Sequence, residues 1–260
     1  MIHFLFLTTT ISVLISCFST VSAQKIMKLD GNLQASTEPM QAKRKGVGMV
    51  GKYQFGPYQI VSGKEGMTTT VSKSRFLSAQ TESKSKKKLS FVFVRDGKDS
   101  VLVNASVNTD VRDWDWDRIT GPMINGWTVL KESQENYLAT FSFPSDSAIW
   151  RMVLFTKVGQ DVKGKEGFVG VLTDGKEEIQ IKEIKHWNDG KTAVMGVATG
   201  YEFYSQESVI AAVQSSLDTF QKKLVWISVN NNASVQLILA ATSAAIMVKT
   251  DGDLADLDRH

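Results

Sequence analysis

Leu89-Ser90-Phe91-Val92-Phe93-Val94, Arg95-Asp96-Gly97-Lys98 and Ser100-Val101-Leu102-Val103-Asn104-Ala105-Ser106-Val107 decide the fold class of this chain. Two runs rich in β-branched and aromatic residues flank Asp-Gly, whose glycine supplies the positive φ that a tight hairpin turn needs. A second unit repeats the signal: Gly167 to Leu172 turns at Asp174-Gly175 into Ile179-Gln180-Ile181-Lys182-Glu183-Ile184. There Ile179, Ile181 and a shifted Ile184 imply one buried face and one wet face. Further strands are expected at residues 53–60, 127–130, 137–143, 149–156, 193–198, 201–204, 209–214 and 224–229. Ten to twelve short strands with turn residues between them predict a mainly β protein, an antiparallel closed barrel rather than alternating α and β.

One stretch breaks the β pattern. Asn232, a fair N-cap, precedes Ala233-Ser234-Val235-Gln236-Leu237-Ile238-Leu239-Ala240-Ala241, and the apolar run continues to Val248. Sixteen helical residues would span about 24 Å, short of the ~30 Å of a hydrocarbon core. A helix apolar on nearly every face and too short to cross a bilayer belongs inside a protein. The expectation is therefore a C-terminal helix packed in the barrel interior, with no transmembrane helix in the mature chain.

The order of elements near the C-terminus runs Gly200-Tyr201-Glu202-Phe203-Tyr204, Ser208 to Val213, Lys223-Leu224-Val225-Trp226-Ile227-Ser228, then the apolar helix. Over residues 200–250 this order resembles the tubby-like barrel superfamily, which includes phospholipid scramblases and LURP-one-related proteins. The resemblance implies a closed antiparallel barrel threaded by a terminal hydrophobic helix. It implies no site residue and no reaction.

The first 23 residues read as a secretory signal. An apolar run over residues 4–15 leads to Val21-Ser22-Ala23, small residues before Gln24. As an alternative, Leu14-Ile15-Ser16-Cys17 reads as a lipobox, in which Cys17 would be lipidated and begin the mature chain. Cys17 is the single cysteine, so neither route allows a disulfide within the mature domain. An exported chain without disulfides points to the bacterial periplasm or cell envelope, either free or anchored as a lipoprotein. Residues 24–45 are expected to be a flexible spacer, 46–250 a single barrel domain and 251–260 a polar tail. A formal net charge of +3 with 22% charged residues gives no concentrated basic face, so nucleic acid is not an expected partner.

Two constellations stand out. In Asp110-Val111-Arg112-Asp113-Trp114-Asp115-Trp116-Asp117-Arg118 an extended chain would put Asp113, Asp115 and Asp117 on one face and Trp114 and Trp116 on the other. Three carboxylates suit a hard cation such as Ca²⁺, and paired indoles suit a sugar or a membrane interface. The plain alternative is a polar connection whose tryptophans seal the barrel rim. The second is Ser83-Lys84-Ser85-Lys86-Lys87-Lys88. It reads either as a patch for an anionic surface or as a solvated loop whose lysines guard a sticky strand. Lys43-Arg44-Lys45 offers the same choice.

Catalytic signatures are missing. Beyond the signal only His186 and His260 remain, and no nucleophile elbow, zinc helix, P-loop or dinucleotide fingerprint occurs. No cofactor is expected. The reading is a non-catalytic exported or envelope protein, a module for phospholipid or envelope-protein partners. Its contact residues would be Trp114, Trp116, Lys84, Lys86, Lys87 and Lys88. Two alternatives stay open: a barrel holding a small apolar ligand, and a hydrolase using carboxylates such as Asp113 and Asp115.

Overall fold

In the computed structural model the described residues are 25–46, 50–66, 69–74, 81–108, 135–144, 148–156, 168–193, 197–217 and 221–257. The signal, Cys17, the Asp113–Asp117 segment with Trp114 and Trp116, and the strand expected at 127–130 lie outside them. The elements run α1 (Gly31–Ser36), β1 (Met40–Gln41), β2 (Lys43–Lys45), β3 (Lys52–Phe55), β4 (Tyr58–Glu65), β5 (Thr69–Ser74), β6 (Thr81–Arg95) and β7 (Asp99–Asn108). They continue with β8 (Glu135–Ser142), β9 (Ile149–Thr156), β10 (Gly170–Thr173), β11 (Glu178–Ile184), β12 (Gly200–Ser205), β13 (Ser208–Gln214), β14 (Leu224–Ile227) and α2 (Ala233–Leu257).

Every strand except β5 lies in one antiparallel path, β2-β3-β4-β6 and on through β14 to β1. The two ends of that path are neighbours in sequence, separated only by Ala42. Met40 and Gln41 pair with Val225 and Leu224, while Lys43, Arg44 and Lys45 pair with Gln54, Tyr53 and Lys52. One six-residue stretch thus holds β14 on one side and β3 on the other, and the sheet closes into a barrel. Closure removes the open edges that a flat sheet would leave exposed.

The described residues hold fourteen strands, thirteen of them in the barrel path, slightly above the ten to twelve expected. The stretch 53–60 is not one strand but two, because Gly56 takes a φ of +51° and turns the chain at Gly56-Pro57. Residues 24–45, expected to be a spacer, carry ordered structure from Lys25 onward. Met27 and Leu33 are buried, α1 is capped by Asp30, and 40–45 is the closing strand. The tail expected from 251 is instead the last turns of α2, which runs to Leu257.

The interior follows from strand alternation. On β7, Val101, Val103 and Ala105 are buried while Leu102 and Asn104 face out; on β11, Ile179 and Ile181 are buried while Glu178 and Lys182 are exposed. Polar-out and apolar-in is the reverse of a membrane-spanning barrel, whose outer band is apolar. Through the middle runs α2, with residues 237–250 all buried. Its small residues Ala240, Ala241, Ala244 and Ala245 share a core with Phe91, Phe93, Tyr137 and Phe141 of the wall. Small on the helix against large on the wall is how a helix fits inside a ring of this size. At 25 residues the helix is longer than expected, about 37 Å, and residues 233–253 are long and apolar enough to cross a bilayer. Enclosure by the barrel, not shortness, makes it a core helix. It fills the interior that a ligand-holding barrel would keep free.

Candidate functional site

With the lumen filled, what remains for function is the outer wall and the two ends. The helix enters at the end bearing the tight turns after β3, β6 and β12. The connections after β8 and β10 share that end, and the helix leaves at the opposite end, where those after β4, β7, β9, β11 and β13 begin. Three features gather at this exit end.

The first is a charged clamp on the helix. Asp251 lies in the exit turn of α2, and its Oδ2 accepts a hydrogen bond from the Tyr53 hydroxyl at 2.5 Å and faces Arg44 Nε at 3.2 Å. Its Oδ1 is bonded to Lys223 Nζ, which also reaches the Met247 carbonyl at 3.4 Å and lies 5.3 Å from the centre of the Tyr53 ring. Burial, reinforced by the Asp251 charge, pushes the Tyr53 phenol far above its ordinary range. Burial lowers the Lys223 ammonium despite the attraction of Asp251. Arg44 reaches the site because residue 51 is glycine: a Cβ there would lie 2.2 Å from Arg44 Nε. One turn away, Lys249 donates to Asp253 at 2.6 Å, and the buried Tyr137 hydroxyl donates to the Ala245 carbonyl at 3.0 Å. The carboxylate touches the closing strand, β3 and the residue before β14, so it ties the helix to both sides of the barrel seam.

The second feature is a ribbon. β6 has 15 residues, about 50 Å, against 10 in β7. β7 pairs with β6 only from Lys86 upward, through Lys86↔Asn108, while β5 pairs with residues 81–86. β5 and residues 81–85 of β6 therefore project past the β7 edge of the barrel as a two-stranded ribbon. The lysine run is strand, not the solvated loop that was one of its two readings. Lys84, Lys86 and Lys88 occupy alternate positions, and Lys88 is exposed while Lys87 is half-buried. Lys64, opposite Ser90, is exposed nearby. The strand ends Asn108 and Glu135, which flank the segment holding Trp114, Trp116, Asp113, Asp115 and Asp117, are also at this end.

The third is the N-terminal segment, which sequence reasoning missed. Residues 25–37 lie on the outer wall of β12–β14, where Met27 and Leu33 pack on Ala212, Leu224 and Trp226. Two buried side chains of that wall read the segment's backbone. Gln214 Oε1 accepts from Met27 N at 2.8 Å and its Nε2 donates to the Lys25 carbonyl at 3.1 Å; Glu202 Oε1 accepts from Asp30 N at 2.7 Å. A signal was present in the sequence: Asp30 two residues before Asn32 is an N-cap pattern beside the apolar Ile26, Met27 and Leu29. The chain therefore reaches the barrel at the exit end, beside Gln214.

His186 sits on an exposed hairpin with its Nδ1 3.3 Å from the Thr192 hydroxyl, the position of a turn residue. Among the described residues no group of three His, Cys, Asp or Glu side chains is placed to hold a metal ion. Comparisons with protein-family models, with curated proteins and with solved structures find no match to the chain.

Proposed function

We propose that this protein is a non-catalytic module of the bacterial cell envelope that meets an anionic membrane surface with the exit end of its barrel. The observation that carries the reading is the lysine run of β6, in which Lys84 lies on the ribbon beyond the barrel wall and Lys86 and Lys88 continue the alternation at its base, where β7 begins to pair. A filled interior supports it, because partners are then met from outside. The N-terminal segment supports it too: Lys25 is held at the same end, so a chain anchored through Cys17 would bring the ribbon toward the bilayer. The ring of strands around a C-terminal apolar helix is also the arrangement that a tubby-like resemblance implies. Phospholipid headgroups are the partner class, since clustered lysines near an acidic leaflet contribute ~1 kcal/mol each.

The test is co-sedimentation of the mature chain with vesicles of phosphatidylglycerol and phosphatidylcholine against phosphatidylcholine alone. Binding should require the anionic lipid and weaken as salt screens the charges. Replacing Lys84, Lys86 and Lys88 together by Thr keeps strand propensity and should weaken binding about a hundredfold. Equal binding to neutral vesicles, or an unchanged triple variant, would overturn the reading.

A further inference from the structure

The ribbon has a second property that its lysines do not explain. β5 covers one edge of β6 over residues 81–86, and β7 covers the other edge only from Lys86 upward. Among the described residues, Thr81-Glu82-Ser83-Lys84-Ser85 thus has no partner strand on the side away from β5. A strand edge of this kind is a template for another strand. Its sequence selects which one. When the five residues are laid antiparallel against a second copy with Ser83 at the centre, Glu82 falls at the register position opposite Lys84 of that copy. Lys84 in turn falls opposite its Glu82, and Thr81 opposite its Ser85. Both charged pairs are then opposite in sign, and no like charges meet. Centring the register on Lys84 instead sets two lysines against each other, and a one-residue offset sets each charge opposite a serine or threonine. Opposite charges directly across a strand pair stabilise it, and like charges disfavour it. A two-fold axis fits, because antiparallel pairing of identical segments is isologous.

We infer that the protein self-associates through residues 81–85 of β6, forming a four-stranded ribbon of two copies with Ser83 on the two-fold axis. This goes beyond membrane binding and does not depend on it: pairing uses the edge of the ribbon, leaving its faces free. Five residues from each chain make a small contact, below the area of a standard stable interface, so the dimer is weak and reversible.

Sedimentation velocity on the mature chain, from low micromolar to ~0.5 mM and without lipid, reads the dimer directly. In a dimer of E82K both cross-strand pairs become lysine against lysine, and in a dimer of K84E both become glutamate against glutamate. Each variant alone should therefore weaken self-association at least about tenfold. The double variant E82K/K84E restores both pairs and should restore the dimer. Most telling is a mixture of E82K with K84E. Neither pairs well with itself, yet in a mixed dimer both cross-strand pairs set a lysine of the E82K chain against a glutamate of the K84E chain, so mixing the two should restore association. The charge rule thus makes three separate forecasts: loss in each single variant, rescue on mixing them, and recovery in the double variant. Recovery also separates pairing from damage to the ribbon, where Glu82 stands at the register position opposite Lys73 of β5. A chain that stays monomeric to the highest concentration, a dimer indifferent to the single variants, or a double variant that fails to recover would overturn the inference.

Discussion

The two ends of this barrel solve different problems. At the helix-entry end the strands are joined by tight turns: Gly56-Pro57, Asp96-Gly97-Lys98 and Gln206-Glu207, with positive φ at Gly56, Asp96, Gly97, Gln206 and Glu207. Asn232 caps the helix there by accepting from Val235 N at 2.8 Å, and Arg95 donates to the Ala233 carbonyl at 3.1 Å. Apart from the Arg95–Ala233 bond, local turn and cap chemistry finishes that end. At the exit end the chain closes the barrel with a strand shared between β14 and β3, clamps the helix through Asp251 and throws out the ribbon. Long-range contacts finish this end, since Asp251 meets Tyr53 and Arg44 from about two hundred residues earlier. Between the two ends the interior is mainly apolar, with Thr242 and Ser243 as buried polar residues of the helix there.

The largest effect tests that shared interior. Ala241 is 0% exposed near the middle of α2, so Ala241→Lys buries a charge with no partner. The cost is on the order of 5 kcal/mol or more, comparable with the whole stability of a domain. The variant should lose its cooperative thermal transition in circular dichroism. Val229→Lys, at a position 76% exposed just before the helix, should leave that transition unchanged. A near-native melting temperature for Ala241→Lys would refute the enclosed helix and with it the contrast between the ends.

A smaller effect distinguishes the ends by titration. Tyr53 and Tyr137, both at the exit end and at most 2% exposed, have phenols pushed up chiefly by burial, with Asp251 and Asp253 adding to the shift. A phenol raised above its unfolded value keeps its proton in the folded chain after the unfolded chain has lost it. Stability is therefore full below about pH 10 and falls above it, by about 1.4 kcal/mol per pH unit for each phenol. Lys223 works in the opposite sense: its lowered ammonium relieves a burial cost as pH rises toward its ordinary value of 10.5, so it offsets one phenol over part of the window. Denaturant midpoints should drop between about pH 10 and 11, and tyrosinate absorbance should appear only as the chain unfolds. Gradual tyrosinate formation in a folded protein would show that these phenols are open to solvent.

What the sequence disclosed divides along the same line. The Asp96-Gly97 and Asp174-Gly175 turns were legible because turn chemistry is local, and alternation exposed the buried faces of β7 and β11. The Ala-rich helix was legible because a helix with no polar face needs enclosure. Misreadings fall where partners are distant. Residues 25–45 looked like a spacer because Met27 and Leu33 are buried only by the far wall, Ala212 and Trp226 among its residues. Asp251 and Asp253 looked like a polar tail because Asp251 finds its partners Tyr53, Arg44 and Lys223 only through barrel closure. Of the candidate contact residues, the lysines were legible as a run, yet the projection of Lys84 beyond the barrel depends on where β7 pairing ends.

The smallest effect examines the clamp itself. Asp251→Asn keeps the shape of the side chain and leaves the Tyr53 hydroxyl an acceptor, but it removes the charge that faces Arg44 and Lys223. Those two cations then lie close together with no anion between them. Hydrogen bonds to a charged group contribute about 2 kcal/mol, so the global loss should be of that size rather than the collapse expected from Ala241→Lys. Its location matters more than its magnitude. Asp251 reaches the closing strand, β3 and Lys223 beside β14, so hydrogen exchange should quicken at the seam amides of Met40, Ala42 and Tyr53. The amides of Lys98 and Gln236, which close the entry-end turn and the helix start, should keep their protection relative to the global value. If both sets of amides loosened together, the clamp would be one more contact in a single cooperative unit, and the two ends would differ in appearance but not in mechanics.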